Sequence, residues 1–295
     1  MEIHLHVGPH KTGTTSIQHY LLNAVGAPEP RRGHWYPAPN SGGPGHYVLA
    51  TEAAAGNFSN LHKIVEDAIR AGTNNLVLSA ENFAYLDDAG IARLGEVAPS
   101  AHLLITMNSL RRRAASLWQE LVKHGLRLSF EESADLLSKR PDLRPDFIRR
   151  FTTHLKPHRT TVIVSSAADA PGTLISNFKN RINLASPDAD ENVNLNMSLG
   201  LIEVETLRAM NRQLFLFDKA RPIHEFNRLQ YAARQQLTEV FASKRWQDTC
   251  PQMKIKTPPR IAEGLVKAAA ELLDDLRLLE GSGVVDVVGD RDALL

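Results

Sequence analysis

The stretch MEIHLHVGPHKTGTTSIQ, residues 1–18, decides the fold of this chain. Residues 3–7 alternate between apolar and polar types, which predicts a β-strand. Gly8 and Pro9 interrupt that pattern, and from Thr14 onward apolar residues recur with helical spacing. The order strand, tight loop, helix places the loop at a helix N-terminus, where unpaired backbone N–H groups and the helix dipole favour an anion.

The loop supplies further groups that would attract an anion. Lys11 carries a full positive charge. The loop differs from the loop G-x-x-x-x-G-K-[ST] of nucleotide triphosphatases, because Lys11 precedes Gly13 here. The sequence also shows no clear strand that ends in an acid suited to binding Mg²⁺. The loop therefore predicts a site for a phosphate or a related group. The phosphate could also accept hydrogen bonds from the hydroxyl side chains of Thr12, Thr14, Thr15 and Ser16.

A repeated alternation of strand and helix patterns follows this loop. Short apolar runs at 76–78, 103–107 and 161–165 are typical of buried parallel strands. The pattern predicts an α/β fold: a P-loop-type parallel β-sheet flanked by helices on both faces, with a mostly helical C-terminal part. Helical periodicity covers 47–55, 61–71, 109–124, 130–137, 145–155, 173–181, 199–214, 221–243 and 259–279, and a short β-like run follows at 283–288.

The length of 295 residues fits one large domain. We expect a single P-loop domain over 1–295, with an α/β core at 1–183 and a helical portion of the same domain at 199–280. Residues 26–46 are rich in proline and glycine and predict a long irregular loop, which in a compact domain is often functional. The polar, acidic stretch 184–196 is expected to be mobile.

Composition excludes several classes of protein. The formal net charge is +1, so overall charge predicts no attraction to nucleic acid or to a membrane surface. Cys250 is the single cysteine, which rules out an intramolecular disulfide and gives no sign of a cysteine zinc site. The sequence shows no secretory signal pattern and no run of about twenty apolar residues. We therefore expect a cytoplasmic protein, and the sequence does not indicate its oligomeric state.

The order K-[ST]-G-T-T after a first strand resembles the 5′-phosphosulfate loop of sulfotransferases, in their bacterial, actinobacterial branch. Weaker resemblances lie at HWYP (34–37), NMSLGLIEVETLRAMN (196–211) and GVVDVVGDRDALL (283–295), so the likeness spans nearly the whole chain. The resemblance implies 3′-phosphoadenosine 5′-phosphosulfate (PAPS) as sulfuryl donor, 3′-phosphoadenosine 5′-phosphate (PAP) as product, and no metal. It also implies that the loop binds the donor through Gly8, His10, Lys11, Thr12, Gly13, Thr14, Thr15 and Ser16.

The family binds the donor's 3′-phosphate through an arginine at a strand end and a serine eight residues later. Ser116 matches the serine, whereas the arginine position falls on Asn108, which supplies no charge. Arg112 lies midway between the two and would share one helix face with both, so it is a possible substitute. Arg111 and Arg113 would point to either side of that face.

Transfer to a hydroxyl needs a base that takes the acceptor's proton. Glu81 follows the apolar run 76–78, and ligands of open α/β sheets bind at the carboxyl ends of strands. In the carbohydrate-type branch of the family the base is a glutamate, and in another branch a histidine. His6 and His10 are the rival bases, although His6 is better explained as a strand residue with a satisfied ring.

The resemblance implies in-line transfer of a sulfuryl group to a hydroxyl of a small molecule or a carbohydrate. Lys11 and Glu81 would be the catalytic residues, and Asn108, Arg112 and Ser116 would complete donor binding. One alternative is a catalytically impaired nucleotide-binding or interaction protein on the same scaffold, because Asn108 replaces the expected arginine. A second alternative is a P-loop kinase that uses ATP on a small molecule, which the position of the lysine disfavours.

Overall fold

The structure is a computed structural model that describes residues 1–26, 33–39, 43–170, 172–184, 199–217 and 255–295, with scattered positions between 232 and 248. The described chain divides into two compact units. The first comprises residues 1–110, 140–195 and 267–295, and the second comprises 111–139 and 196–266. None of the described helices combines the length and the apolar character that a membrane crossing requires.

A parallel β-sheet forms the first unit, as the alternating pattern predicts. Its strand order is β2-β3-β1-β4-β5-β6, and each neighbouring pair runs parallel. The first strand of the chain therefore lies in the middle of the sheet, between β3 and β4. The strands are β1 (Glu2–His6), β2 (His34–Trp35), β3 (Asn75–Ser79), β4 (His102–Met107), β5 (Arg159–Val164) and β6 (Val285–Val288).

Both faces of the sheet are buried. Every residue of β4 is buried, which is the reason that its sequence reads as a continuous apolar run. Helices α1 (Thr14–Val25) and α8 (Thr173–Arg181) cover one face, where Ile17 and Phe178 pack on Leu104. On the opposite face, side chains such as Ile105 are also fully buried. The α/β fold with helices flanking a parallel sheet is confirmed.

Most of the remaining helices begin and end close to the predicted positions, whereas the helix Asp88–Val97 was not predicted. The helix Leu110–Lys123 ends in a Schellman turn: Gly125 has a φ of 105°, and the Leu126 N–H donates to the Leu121 carbonyl over 2.8 Å. The other helices are α2 (Tyr47–Ala54), α3 (Ser59–Arg70), α4 (Asp88–Val97), α5 (Leu110–Lys123), α6 (Ala134–Ser138), α7 (Phe147–Leu155), α9 (Leu201–Phe217) and α10 (Pro259–Gly281), and 3₁₀ turns span Glu81–Tyr85, Pro141–Leu143 and Arg291–Leu294.

Within the second unit, α9 is joined to α5 by polar side chains. The Asn211 amide donates to the carbonyls of Val122 and Leu126, at 2.8 and 3.0 Å. These carbonyls lie at the end of α5, where helical carbonyls lack intrahelical partners. Gln119 accepts a hydrogen bond from the Leu199 N–H over 3.1 Å. This unit is helical, as expected for the region 199–280 wherever it is described.

Some predictions differ from the structure or lie outside it. The segment 26–46 is not wholly irregular: His34–Trp35 forms β2, which is too short for an alternating pattern to reveal. The helix predicted over 130–137 is only Ala134–Ser138, because residues 130–133 form turns. Residues 185–196 of the predicted mobile stretch and most of the helix expected over 221–243 lie outside the described residues.

The strand order creates one crevice at the carboxyl edge of the sheet. The chain leaves β1 toward β2 and β3 on one side, whereas it leaves β4 toward β5 on the other. Ligands of open α/β sheets bind at such a reversal point. The loop after β1 and the residues after β4 meet there, so the predicted anion loop occupies this position.

Candidate functional site

Residues 8–13, which we call the glycine loop, turn sharply between β1 and α1. Lys11 and Gly13 both adopt left-handed backbone conformations, with φ of 68° and 88°. This conformation is unfavourable for a lysine, so neighbouring groups must hold it. Gly13 is the residue before α1, and no described side chain caps this helix or places an acid in its first turn. The first N–H groups of α1 therefore face a position suited to an anion.

Close packing explains both glycines of the loop. A Cβ atom on Gly8 would lie 2.3 Å from the Thr14 Oγ1 and 2.8 Å from the Thr106 Oγ1. A Cβ atom on Gly13 would lie 2.4 Å from the Leu174 Cδ2, in addition to its positive φ. Any larger residue at either position would displace the loop or its support.

Beneath the loop lies a buried chain of hydrogen bonds whose direction is fixed. The Thr12 hydroxyl donates to the Pro9 carbonyl over 2.8 Å, so it must accept from Thr106, whose Oγ1 is also 2.8 Å away. The Thr106 hydroxyl has then used its proton, and it accepts from Nε2–H of His6 over 3.2 Å. The Thr12 hydroxyl thus supports the loop from below. If Thr12 binds an anion, it does so through its backbone N–H.

The same chain continues toward α2. Nδ1 of His6 accepts from the Ser79 hydroxyl over 2.8 Å, and Ser79 accepts from the Gln18 amide over 3.2 Å. Gln18 accepts in turn from the Tyr47 hydroxyl over 3.0 Å. This arrangement needs a neutral His6, and burial lowers the pKa of His6 to about 3. His6 is accordingly a satisfied strand residue that transmits support to the loop.

Asn108 follows β4 and braces the strained lysine. Its Nδ2 donates to the Lys11 carbonyl over 2.8 Å, across the crevice between β1 and β4. The Asn108 side chain is buried, and its Oδ1 accepts no hydrogen bond from any described residue. One of its two amide hydrogens is therefore committed to the backbone of the glycine loop.

The two rival bases at the carboxyl edge form one pair. Glu81 begins the 3₁₀ turn directly after β3, and its Oε2 lies 2.7 Å from Nδ1 of His10. Both side chains retain some exposure, 12% for Glu81 and 26% for His10. A carboxylate that accepts from Nδ1–H orients the ring and leaves Nε2 to take up a proton. The pair can thus bind a proton at Nε2 of His10 or at the second oxygen of Glu81.

Polar and aromatic residues surround this pair. The His10 ring lies 5.4 Å from the Tyr85 ring, and the Arg140 guanidinium lies 5.2 Å above Tyr85 and bonds its hydroxyl. Burial, assisted by the charge of Glu81, raises the pKa of Tyr47 to about 12, which keeps its hydroxyl protonated as a donor. The sequence patterns did not point to Tyr47, Tyr85 or Arg140, because they come from distant parts of the chain.

The residues expected along α5 are arranged differently from the prediction. The helix begins at Leu110, so Asn108 precedes it, and helical spacing relates only Arg112 to Ser116. Arg112 is exposed and Ser116 is half-buried. Arg113 is fully buried, whereas Arg111 is exposed. The prediction that Asn108 shares one helix face with Arg112 and Ser116 is therefore wrong, because Asn108 lies before the helix.

A scan against models of protein families, a search of curated proteins and a search of solved structures found no match to this chain.

Proposed function

We propose that this protein is a PAPS-dependent sulfotransferase that acts on a hydroxyl of a small molecule or a carbohydrate. The observation that carries the proposal is the glycine loop. It lies at the reversal point of a parallel sheet, turns through left-handed Lys11 and Gly13, and opens onto an uncapped helix N-terminus. A lysine and convergent backbone N–H groups suit a phosphosulfate, which has no metal of its own to balance its charge.

In this proposal the loop holds the donor's 5′-phosphosulfate. Lys11 and the first N–H groups of α1 stabilise the negative charge that grows on the bridging oxygen as its bond to sulfur breaks. Thr15 and Ser16 are half-buried and can add hydroxyl donors, whereas the Thr12 hydroxyl is already used. PAP is the leaving group, and the new bond joins sulfur to the acceptor oxygen.

The acceptor's proton passes to the His10–Glu81 pair. Glu81 holds the imidazole through Nδ1, and Nε2 of His10 accepts the proton as the acceptor oxygen attacks sulfur. Glu81 lies after β3, next to the strand that carries the glycine loop, so a base beside the phosphosulfate is geometrically reasonable. The pairing unites the two candidates that the sequence left as alternatives.

The test is calorimetric titration of PAP into the intact protein and two lysine variants. Lys11→Ala removes a charge-assisted contact, which is worth about 1.5–3 kcal/mol, so we expect PAP to bind about 10- to 150-fold more weakly. Lys63→Ala changes an exposed lysine on α3 and should leave affinity unchanged. If the wild-type protein binds no PAP at millimolar concentration, the proposal is wrong.

A second candidate is a nucleotide-binding or interaction protein on the same scaffold that has lost catalysis. The engagement of Asn108 with the Lys11 carbonyl favours it, because this residue stands where an arginine is expected. Asn108→Arg separates the two. A gain of about tenfold or more in PAP affinity would indicate an impaired natural site. Unchanged affinity would mean that another residue, such as Arg112, completes the site, and lower affinity would mean that the site depends on Asn108.

A kinase is the remaining alternative, and competition distinguishes it. Under our proposal Mg²⁺ and ATP should displace PAP poorly. Tighter binding of ATP with Mg²⁺ than of PAP would favour the kinase.

A further inference from the structure

A cluster of histidines lies at the amino edge of the sheet, opposite the glycine loop. His4 of β1 is paired in register with His102 of β4, and Glu2 begins β1. The possible ligand atoms of these three residues all lie within 4.8 Å of one another. His158 immediately precedes β5 and joins the group, since its Nε2 lies 3.4 Å from Oε1 of Glu2.

The buried rings of His4 and His102 face each other through their Nδ1 atoms. Nδ1 of His4 lies 3.2 Å from Nδ1 of His102. On the far side of His4, Nε2 lies 3.1 Å from the side-chain oxygen Oδ1 of Asn75, so Nε2–H donates and Nδ1 carries a lone pair. Ligand atoms about 2.0–2.1 Å from a tetrahedral zinc ion are about 3.3–3.4 Å apart, close to the observed separation.

The other two members also present acceptors to each other. Nδ1–H of His158 donates to the Ser100 carbonyl over 2.5 Å, which leaves the lone pair of its neutral ring on Nε2. That lone pair faces the Glu2 carboxylate, whose Oε1 is also 3.9 Å from Nδ1 of His102. The lone pairs of His4 and His158 and the Glu2 carboxylate thus converge on one space, where a cation would bind them together. The cation is either a metal ion or a proton.

The supporting contacts are those that metal-binding histidines use. Ligating imidazoles donate their other N–H to a fixed acceptor, and here Asn75, Ser100 and the Thr161 hydroxyl occupy those positions. Glu2 is 35% exposed, which provides a route for an ion and lets the carboxylate adjust its position.

We propose that Glu2, His4 and His102, with His158 as the fourth ligand, bind a divalent first-row transition metal of the zinc type. Three imidazoles and a carboxylate suit Zn²⁺ better than Mg²⁺ or Ca²⁺, which prefer oxygen ligands. The ion would join the beginnings of β1, β4 and β5 and would stabilise the sheet. It lies at the edge opposite the glycine loop and is independent of the proposed reaction.

The test is competition for Zn²⁺ between a chromophoric chelator and the full-length, chelator-treated protein carrying no histidine tag. We expect one Zn²⁺ per chain. Asn75→Ala removes a partner of His4 and should weaken Zn²⁺ binding by about 10- to 100-fold. His102→Gln removes a ligand and should weaken Zn²⁺ binding by more than that. His62→Gln removes an exposed histidine on α3 and should bind like the wild type.

Two further measurements guard against a variant that fails to fold. Zn²⁺ should raise the melting temperature of the wild type by several degrees and that of His102→Gln by less. Glu2→Gln changes a partly exposed residue, should fold normally, and should also weaken Zn²⁺ binding. Absence of Zn²⁺ binding by the wild type would mean that a proton fills the space. Equal affinities of the wild type, His102→Gln and Glu2→Gln would overturn the proposal as well.

Discussion

At the scale of single residues, the glycine loop depends on backbone conformations that its neighbours enforce. Lys11 is left-handed although it carries a side chain, and the Asn108 amide holds its carbonyl in place. Gly13 is left-handed, and a Cβ atom there would lie 2.4 Å from the Leu174 Cδ2, so Leu174 would have to move. The loop is therefore organised before any ligand arrives, which reduces the ordering that binding would require.

Gly13→Ala should destabilise the protein and weaken PAP binding. The substitution combines an unfavourable φ with a contact of 2.4 Å to Leu174. Gly56→Ala provides the matched comparison, because Gly56 has a φ of 77° but nothing within 4 Å of its Cβ position. Urea unfolding should show a loss of about 1 kcal/mol for Gly56→Ala and a larger loss for Gly13→Ala. Equal losses would mean that Leu174 does not constrain the loop.

Asn108→Ala tests the brace on Lys11. Removal of a buried amide that donates to a backbone carbonyl should lower the free energy of unfolding by about 1–3 kcal/mol. PAP affinity should fall as well, because the backbone of Lys11 would lose its support. A variant of normal PAP affinity would show that the loop keeps its shape without this bond.

At the scale of elements, the strands are joined by polar side chains as well as by their backbones. The chain of hydrogen bonds from Tyr47 through His6 to Thr12 links α2, α1, β3, β1 and β4 to the glycine loop. His46 adds a second link: its Nδ1 accepts from the Ser79 N–H at the end of β3, and its Nε2–H donates to the Pro37 carbonyl. Both links depend on neutral imidazoles.

Thr106→Val breaks the first link without touching a ligand. The substitution keeps the shape of the side chain, but it leaves the buried Nε2–H of His6 without an acceptor and removes the hydroxyl that donates to Thr12. We therefore expect a loss of about 1–3 kcal/mol and weaker PAP binding. Thr160→Val is the comparison on β5, because the buried Thr160 hydroxyl has no hydrogen-bond partner among the described residues. That change should be neutral or stabilising in urea unfolding. Similar losses for both would argue against the linked chain.

The second link predicts a pH dependence. Burial lowers the pKa of His46 to about 4, below about 6.5 in the unfolded chain. The unfolded chain therefore takes up the proton first, and the contribution of His46 is complete above pH 6.5. It should decrease by about 1.4 kcal/mol for each pH unit between 6.5 and 4.

His46→Asn keeps an acceptor for the Ser79 N–H but does not titrate. We expect its free energy of unfolding, measured in urea at several pH values between 4 and 7, to decrease less steeply than that of the wild type as the pH falls. The two slopes should differ by about 1.4 kcal/mol for each pH unit. Parallel curves for the two proteins would exclude a neutral, buried His46.

At the scale of the whole molecule, the sequence predicted the elements better than the contacts between them. The predicted helix 173–181 coincides with Thr173–Arg181, and the predicted strand 3–7 is observed at Glu2–His6. Local patterning suffices there, because each face of a helix or strand repeats within a few residues. The two-residue strand β2 is too short for any such repeat.

The contacts within the site could not be read from local patterns. Glu81 and His10 were both candidate bases, yet only the pairing of β1 with β3 brings their side chains together. Asn108 was expected to bind a phosphate. The sequence around it, which leads into α5 two residues later, did not indicate that the Asn108 amide donates to the Lys11 carbonyl. Such contacts depend on the register of strands that are distant in the chain.

The central claim is that the glycine loop binds a 3′-phosphorylated adenine nucleotide, and paired calorimetric titrations with PAP and with adenosine 5′-diphosphate test it most directly. The two ligands differ only in the 3′-phosphate and in the terminal 5′-phosphate. We predict one PAP per chain, bound more tightly than adenosine 5′-diphosphate and about 10- to 150-fold more weakly in Lys11→Ala. Absence of PAP binding, or tighter binding of adenosine 5′-diphosphate, would contradict the account.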